Sequence, residues 1–199
     1  MNHKLILIRH AVTTAEKSAL VGKNDIPLSD QGVNDAKNLR TGIKVQSTDI
    51  TYHCSTLSRA VQTAGILFPN AEFKRHEQIN EIDFGQWSGL DIHEVSKLYP
   101  EAMDEWSRSP LSFRFPGGES VSEFIKRITD YLDTNILNHT GPNVVVCHGG
   151  VIRFIFCRML NLDYSHHLAF SVHRPSLNVI DHDGNSGVLT GLNLTDLTI

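Results

Sequence analysis

The sequence feature that most constrains the fold is an apolar run that ends abruptly in two polar residues. Leu5-Ile6-Leu7-Ile8 is followed at once by Arg9-His10. A short continuous apolar run favours a strand buried on both faces, which is typical of a parallel sheet. Residues that follow such a strand emerge at the carboxyl edge of the sheet, where ligand crevices form. We therefore expect Arg9 and His10 to lie at a crevice.

A second apolar run has the same ending. Asn143-Val144-Val145-Val146-Cys147 leads into His148-Gly149-Gly150. Two parallel strands deliver the residues that follow them to the same edge of a sheet, so we expect the two histidines to meet there. Arg59 lies in the first turn of a predicted helix, just after a third predicted strand, and could face the same crevice.

Bulk composition limits the class of protein. The chain has 199 residues, of which 40% are hydrophobic and 20% charged, as expected for one globular domain with a proper core. A net charge of −4 argues against nucleic-acid and membrane partners. The three cysteines form no paired pattern, and no secretory pattern opens the chain, so we expect a reducing, cytoplasmic location.

Predicted strands alternate with predicted helices, which indicates a single α/β domain over residues 1–199 with a mainly parallel sheet. A hairpin over residues 177–194 is expected at the sheet edge, split by a turn at Asp183-Gly184-Asn185. Residues 82–119 are expected to form an excursion that serves as a lid or substrate-binding segment. Within it, Asp91 and Glu94 have the spacing of a capping box, and the short helix that follows is expected to end before Pro100. Residues 101–119 are rich in turn formers. The remaining predicted strands cover residues 49–54 and 72–75, and the other predicted helices cover residues 30–40, 57–68, 120–137 and 151–160. Ser120 and Glu123 have the spacing of a capping box at the start of the third of these helices.

The predicted cluster of two histidines and two arginines suits phosphoryl chemistry. Guanidinium groups offer planar, paired donors that match phosphate oxygens. A neutral imidazole is a nucleophile that can form a covalent intermediate. A second, protonated imidazole would add a donor to the transferring group. A carboxylic acid must still protonate the leaving oxygen, and the residues alone do not distinguish Glu81 from Glu77 or Asp83 for this role.

Six short motifs, in order along most of the chain, resemble those of the histidine phosphatase superfamily, the phosphoglycerate mutase-like proteins. The resemblance implies a three-layer fold with a mainly parallel central sheet flanked by helices. Each motif is weak alone, whereas six in order are specific. They are Arg9-His10 with Thr13; Gly22, Asp25, Pro27-Leu28 and Gly32; Tyr52, Ser55, Leu57, Arg59-Ala60 and Gln62-Thr63-Ala64; Glu81, Phe84-Gly85, Trp87 and Gly89; Pro116-Gly117-Gly118-Glu119-Ser120; and His148-Gly149-Gly150.

The resemblance also implies the roles of the site residues. His10 attacks phosphorus and becomes phosphohistidine, while Glu81 is the proton donor and acceptor. No metal and no cofactor take part. The phosphoryl oxygens are bound by Arg9, Arg59, His148, Thr13 and the backbone N–H of Gly149.

Within the family, the chain is most similar to the alpha-ribazole phosphate phosphatases. This similarity implies hydrolysis of alpha-ribazole 5'-phosphate in cobalamin (adenosylcobalamin) biosynthesis. The alternatives are a broad-specificity sugar-phosphate phosphatase, a phosphoglycerate mutase-like enzyme, a catalytically silent phosphate-binding protein and a metal-dependent hydrolase. The compact chain favours a phosphatase over a mutase. The expected partner is a small phosphorylated metabolite, and the sequence leaves the oligomeric state open.

Three positions, Ala11, Val12 and Glu16, depart from the family pattern, and Ala11 and Glu16 favour the silent alternative. Val12 stands where a glutamate is common. Ala11 replaces a glycine, and its methyl group could crowd the backbone near phosphate. Glu16 stands where an asparagine is common, and its charge would repel phosphate if it faced the pocket. We expect Glu16 to point away.

Four other polar residues are interpreted as surface residues. His166, His167 and His173 have no metal-ligand spacing and are expected to be exposed loop histidines. Arg114, between two phenylalanines, could touch a substrate but is better interpreted as a surface arginine.

Overall fold

The computed structural model describes residues 3–16 and 18–199. Its strands are β1 (His3–Arg9), β2 (Ile43–Lys44), β3 (Thr51–Ser55), β4 (Phe73–His76), β5 (Asn143–Cys147), β6 (Ser176–His182), β7 (Gly187–Leu194) and β8 (Leu197–Thr198). Its α-helices are α1 (Asp30–Thr41), α2 (Ser58–Leu67), α3 (Ile92–Leu98), α4 (Pro100–Arg108), α5 (Val121–Asn135) and α6 (Gly149–Met159). Short 3₁₀ helices cover Glu77–Ile79, Gly85–Trp87 and Tyr164–Ala169.

A six-stranded sheet forms the centre of the molecule, in the order β4-β3-β5-β1-β6-β7. The first four strands in this order are parallel, and β6 and β7 are antiparallel at the edge. The mainly parallel sheet and the edge hairpin are therefore confirmed. A separate parallel pair, β2 with β8, is not predicted by the sequence pattern.

Helices cover both faces of this sheet. Successive side chains of a strand point to opposite faces, so a continuous apolar run in a central strand is buried only when both faces are covered. Leu5 and Leu7 of β1 are buried on the face covered by α5 and α6. Ile6 and Ile8 are buried on the other face, against residues of α1 and α2. The run from Leu5 to Ile8 is thus apolar at every position because both faces of the strand lie in a core. The three-layer arrangement is confirmed.

The register between β1 and β5 brings the two histidines together. Arg9 lies opposite Cys147, so His10 and His148 follow the paired ends of adjacent parallel strands. The backbone N–H of His10 donates to the carbonyl oxygen of Cys147 at 3.0 Å. On the far side of β5, Cys54 of β3 lies opposite Val146, which places Ser55 at the same edge.

The excursion over residues 82–119 contains more helix than predicted. The interpretation of residues 101–119 as turns is wrong for α4, which starts at Pro100. Proline is tolerated at the first helical position because no intrahelical partner is needed there. Tyr99 ends α3 and caps α4, so one residue separates the two helices. Trp106 of α4 packs against the core.

Two further findings concern the chain as a whole. Cys54, Cys147 and Cys157 are buried free thiols. Among residues 3–16 and 18–199, no helix has the length and apolar character needed to cross a membrane.

Candidate active site

A cavity of about 490 Å³ opens at the carboxyl edge of the parallel strands. Its polar wall brings together predicted and unpredicted residues, namely Arg9, His10, Thr13, Arg59, Glu81, Gly149, Arg153, His167 and Arg174. Its apolar wall comes largely from the excursion and from α5 and α6, and includes Leu20, Ile82, Phe84, Trp87, Trp106, Phe115, Phe124, Phe154 and Leu168. The predicted meeting of both strand ends at one crevice is therefore observed.

His10 is held in one tautomer. Its ring nitrogen Nδ1 lies 2.7 Å from the carbonyl oxygen of Ala11. A carbonyl oxygen only accepts, so Nδ1 carries the proton of the neutral ring. The lone pair then lies on Nε2, on the opposite side of the ring. The imidazole is therefore prepared to act as a nucleophile through Nε2.

The surroundings keep His10 uncharged. Burial lowers the pKa of His10 well below its ordinary value, and the charges of Arg59, Arg9 and Arg174 lower this pKa further. Burial penalises the charged imidazolium, and nearby cations repel it.

We therefore expect His10 to stay neutral as the pH falls through 6.5, where an unperturbed histidine takes up a proton. Long-range ¹H–¹⁵N spectra of the ring, recorded from pH 8 to pH 5, measure this directly. The His10→Asn variant assigns the resonance. A His10 ring that titrates at or above its ordinary pKa would contradict the expectation.

His148 is completely buried and does not line the cavity. Its ring lies against that of His10, with 5.1 Å between centroids. Arg59 Nε donates to His148 Nδ1 at 3.3 Å, and His148 Nε2 lies 2.7 Å from Ser55 Oγ. Both ring nitrogens thus have protein partners. These contacts hold Arg59 in place, and the expected direct contact of His148 with a phosphoryl oxygen stays a prediction.

The second imidazole was expected to be protonated, whereas its surroundings in this structure favour a neutral ring. Burial, followed by the charges of His10, Arg59 and Arg9, lowers the pKa of His148 well below its ordinary value. Arg59 Nε–H can only donate, so Nδ1 accepts and the proton of the neutral ring lies on Nε2.

The two predicted arginines are anchored by backbone carbonyl groups. Arg59 donates to Asn24 O at 2.7 Å and to Gly22 O at 2.6 Å. Arg9 donates to Val172 O. Its Nε is buried and has no hydrogen-bond partner among the described residues. Burial and then the charge of Arg174 lower the pKa of Arg9 to about 10, so it remains a cation at neutral pH.

The two glycines after His148 allow side chains to approach α6 closely. A Cβ on Gly149 would lie 2.9 Å from Arg9 Cζ. A Cβ on Gly150 would lie 2.4 Å from Glu81 Oε1. Glycine at these positions therefore gives Arg9 and Glu81 the space they occupy.

Glu81 projects into the cavity beside the start of α6. The Gly150 N–H donates to Glu81 Oε2 at 3.0 Å, and the Ile82 N–H donates to Oε1 at 3.2 Å. The rival carboxylates Glu77 and Asp83 line a different groove. Of the three candidate acids, Glu81 is therefore the one whose side chain lies in the cavity.

Arg127 of α5 supports the segment that carries Glu81, and sequence reasoning missed it. It donates to Gln78 O at 2.6 Å, to Asn80 O at 2.7 Å and to Glu81 O at 3.3 Å. It also forms a two-point ion pair with Glu119, at 2.7 and 3.0 Å. No periodicity or motif links these positions, because the contacts join residues far apart in the chain.

His167 corrects a prediction. It was expected to be an exposed loop residue, but it is half-buried and lines the cavity. Its ring stacks on Phe154, with 4.6 Å between centroids and 15° between planes. His166 and His173 are exposed, as expected. Arg114 is an exposed residue paired with Glu123 at 2.5 Å, which confirms the surface interpretation.

Ala11 and Glu16, the departures from the family pattern that favour the silent alternative, do not enter the cavity. The Ala11 methyl group packs with Leu28 and Ala36 on α1, and the Ala11 N–H donates to Thr63 Oγ1 at 3.1 Å. Glu16 is exposed and is not part of the cavity wall, as expected. Neither residue therefore obstructs the site.

Arg153 and Arg174 belong to the cavity wall and were not predicted. Arg153 stands four residues after Gly149, one turn further along α6, so helical spacing could have placed it on the same face. Arg174 precedes β6 in an irregular segment, and no sequence signal marked it.

Comparisons with known proteins agree with this architecture. The family model described as histidine phosphatase superfamily (branch 1) matches residues 5–195. Phosphoserine phosphatase 1 of Hydrogenobacter thermophilus is 33% identical over 196 residues, which cover 96% of this chain and 92% of that protein. Adenosylcobalamin/alpha-ribazole phosphatase of Salmonella typhimurium is 26% identical, over 89% of this chain and 90% of that one. A crystal structure of a putative alpha-ribazole-5'-P phosphatase from Escherichia coli has the same fold, with a TM-score of 0.89, 22% identity and full coverage of both chains. The chain therefore belongs to the histidine phosphatase superfamily and is a phosphatase.

Proposed function

We propose that the protein is a metal-independent phosphomonoester hydrolase that acts through a phosphohistidine on His10. The observation that carries this proposal is the single tautomer of His10 at the cavity. Its Nε2 lone pair is available where two arginines and one carboxylic acid converge. Because guanidinium groups can neutralise the phosphoryl charge, the proposal assigns no role to a metal.

The first step forms a bond between His10 Nε2 and phosphorus and breaks the bond from phosphorus to the ester oxygen. Arg9 and Arg59 bind the equatorial phosphoryl oxygens, with Thr13 and the Gly149 N–H as further donors. Glu81, protonated in this step, gives its proton to the departing alkoxide oxygen. The products are phosphohistidine, a free alcohol and the Glu81 carboxylate.

The second step hydrolyses the intermediate. The Glu81 carboxylate accepts a proton from water, and the water oxygen attacks phosphorus. The bond between His10 Nε2 and phosphorus breaks, which restores the neutral imidazole and releases inorganic phosphate. Glu81 is then protonated again, so the cycle is balanced.

His148 contributes to this mechanism chiefly as a positioning residue. It accepts from Arg59 Nε and contacts the His10 ring, so it fixes the angle between the nucleophile and the oxygen-binding guanidinium. Ser55 in turn holds the ring of His148.

The substrate has two candidates, each supported by one feature of the cavity. The aromatic wall, including Phe84 and Trp106, suits a large apolar group and supports alpha-ribazole 5'-phosphate, hence a role in cobalamin assembly. The unpredicted Arg153 and Arg174 instead support a substrate with a second negative charge, such as phosphoserine or another phosphorylated acid. We also propose a cytoplasmic location, which the three free cysteines support.

A substitution at Gly150 tests the position assigned to Glu81. In Gly150→Ala, the new Cβ would displace the Glu81 carboxylate, from which it would lie only 2.4 Å. We expect kcat to fall by about 10²-fold, as for misplacement of a reacting group by about 1 Å. Steady-state kinetics with a phosphomonoester measure this change.

The matched control is Gly65→Ala on α2. Apart from its chain neighbours and the backbone of its own helix, no atom of the described residues lies within 4 Å of a Cβ at this position. It should leave kcat unchanged and raise stability by about 0.4–1 kcal/mol, because alanine restricts the unfolded chain. Equal effects of the two substitutions on kcat would contradict the assigned position.

The experiment for the proposed function uses p-nitrophenyl phosphate in the presence of EDTA, with rapid quenching to trap the protein-bound phosphate. We expect hydrolysis and an acid-labile, base-stable phosphoryl group on His10. Binding without turnover would instead indicate the silent phosphate-binding alternative, and loss of activity on chelation would indicate a metal-dependent hydrolase. A panel of alpha-ribazole phosphate, sugar phosphates, phosphoserine and phosphoglycerates, ranked by kcat/KM, then identifies the substrate.

A further inference from the structure

The charge of the cavity exceeds what one phosphoryl group needs. Four arginines line the wall, and Glu81 is its only carboxylate among the described residues. None of the four arginines belongs to an ion pair in the described part of the chain, where the paired cations are Arg114, Lys126, Arg127 and Arg158. A guanidinium group in a largely apolar cavity is costly without an opposite charge, so the ligand is the natural source of that charge.

The two extra arginines lie beyond the phosphoryl site. Arg153 Nε donates to Phe170 O at 3.0 Å. This contact fixes the direction of the side chain while leaving its two terminal nitrogens for the cavity. Arg174 follows the segment whose Val172 carbonyl anchors Arg9. Both residues therefore stand next to the groups that bind phosphate without replacing them.

Both extra arginines act electrostatically on other residues of the cavity. Burial lowers the pKa of Arg9, of His10 and of Arg59, and the charge of Arg174 lowers each of these pKa values further. The charge of Arg153 likewise adds to burial in lowering the pKa of Arg9 and of His167.

We propose that Arg153 and Arg174 form a second anion subsite, which binds a carboxylate carried by the phosphomonoester substrate. The planar fork of a guanidinium matches the two oxygens of a carboxylate, and two such forks surround the end of a short phosphorylated acid. This inference rests on the proposed phosphatase function and names its substrate class. It ranks phosphorylated acids above alpha-ribazole phosphate, which carries no second anion.

The test compares substrates that differ only in the carboxylate. Phosphoserine is paired with phosphoethanolamine, and 3-phosphoglycerate is paired with glycerol 3-phosphate. For the wild type we expect kcat/KM to favour the acid of each pair by about 10- to 100-fold, the usual range for charge-assisted hydrogen bonds. A third pair, fructose 1,6-bisphosphate with fructose 6-phosphate, shows whether a second phosphoryl group is preferred instead. A preference in this third pair alone would overturn the assignment to a carboxylate.

Variants connect this preference to the two arginines. Arg153→Gln and Arg174→Gln should each reduce the acid preference at least about fivefold, as expected when one charged partner is lost. Arg153→Lys retains the charge and should restore part of the preference. The control is Arg158→Gln, on the same helix but paired with Asp133 at 3.6 Å, which should leave the preference unchanged.

The outcomes separate this inference from the proposed function. A wild type that forms phosphohistidine yet treats both members of the first two pairs alike would overturn the subsite alone. An acid preference that persists in both Arg153→Gln and Arg174→Gln would also overturn the subsite alone. A wild type that neither hydrolyses monoesters nor becomes phosphorylated would overturn the proposed function, and the subsite with it. Thermal unfolding of each variant checks that it is folded, and Arg153→Lys still tests the subsite if Arg153→Gln does not fold.

Discussion

Replacing His10 with asparagine is expected to reduce phosphatase turnover by about 10⁴-fold or more, because the covalent route requires a nucleophile that asparagine does not provide. The substitution conserves part of the local structure. The asparagine amide can still donate to the Ala11 carbonyl, which His10 Nδ1 contacts at 2.7 Å. Loss of activity would therefore report the missing nucleophile and not a collapsed site.

Two measurements make this prediction specific to His10. Rapid-quench labelling should show no acid-labile phosphoryl group on the variant, while inorganic phosphate should still bind through the arginines. The control is His139→Asn, an exposed histidine outside the cavity, which should behave as the wild type. Activity of His10→Asn within tenfold of the wild type would rule out the phosphohistidine route.

Glu81→Gln is expected to lower kcat by about 10²–10⁴-fold, the usual contribution of a positioned general acid and base. Glutamine has nearly the same shape, but it has no acidic proton to give. Inhibition by inorganic phosphate should change little, because the proposed ligands of the phosphoryl oxygens are guanidinium groups and not Glu81. A comparable loss of phosphate affinity and of turnover would reject the proton-transfer role.

The leaving group distinguishes proton transfer from a structural role. Glu81 accepts backbone N–H donors from Gly150 and Ile82, so it also stabilises the start of α6. If it is the acid, Glu81→Gln should impair phosphorylation by p-nitrophenyl phosphate much less than by an alkyl phosphate, because nitrophenolate leaves without a proton. A purely structural residue would impair both equally. Glu77→Gln, the same change at an exposed carboxylate outside the cavity, is the matched control.

The central elements of the fold were predictable because local sequence determines them. Leu5 to Ile8 are apolar on both strand faces, and only a sheet covered on both sides buries them all. Ser120 and Glu123 form the predicted capping box at the start of α5. By contrast, α4 was missed because Pro100 was interpreted as the end of one helix, whereas it also begins the next.

The predicted placement of residues at the cavity is observed where strand ends determine it, and residues that loops bring to the cavity were missed. Arg9 and His10 follow β1 directly, so the sheet alone determines their place. Arg174 enters through an irregular segment, and His167 is drawn into the wall by stacking on Phe154. Such contacts depend on three-dimensional packing, which no periodicity in the sequence records. The choice of Glu81 over Glu77 rested on the family resemblance, and only its geometry supports that choice independently.

The contacts that Arg127 makes with Glu119 and with the segment before Ile82 have a consequence for how the enzyme loses activity. The proposed nucleophile, His10, follows one of the innermost strands, whereas the backbone that carries the proposed acid, Glu81, is held by the Arg127 guanidinium, which contacts the carbonyl groups of Gln78 and Glu81. Mild heat or denaturant should therefore displace Glu81 while His10 stays in place. With p-nitrophenyl phosphate, whose leaving group needs no proton, a phosphorylated but slowly hydrolysed protein would then accumulate, because the proposed dephosphorylation needs the carboxylate to activate water. Partial unfolding would therefore first appear, with this substrate, as a stalled phosphorylated intermediate.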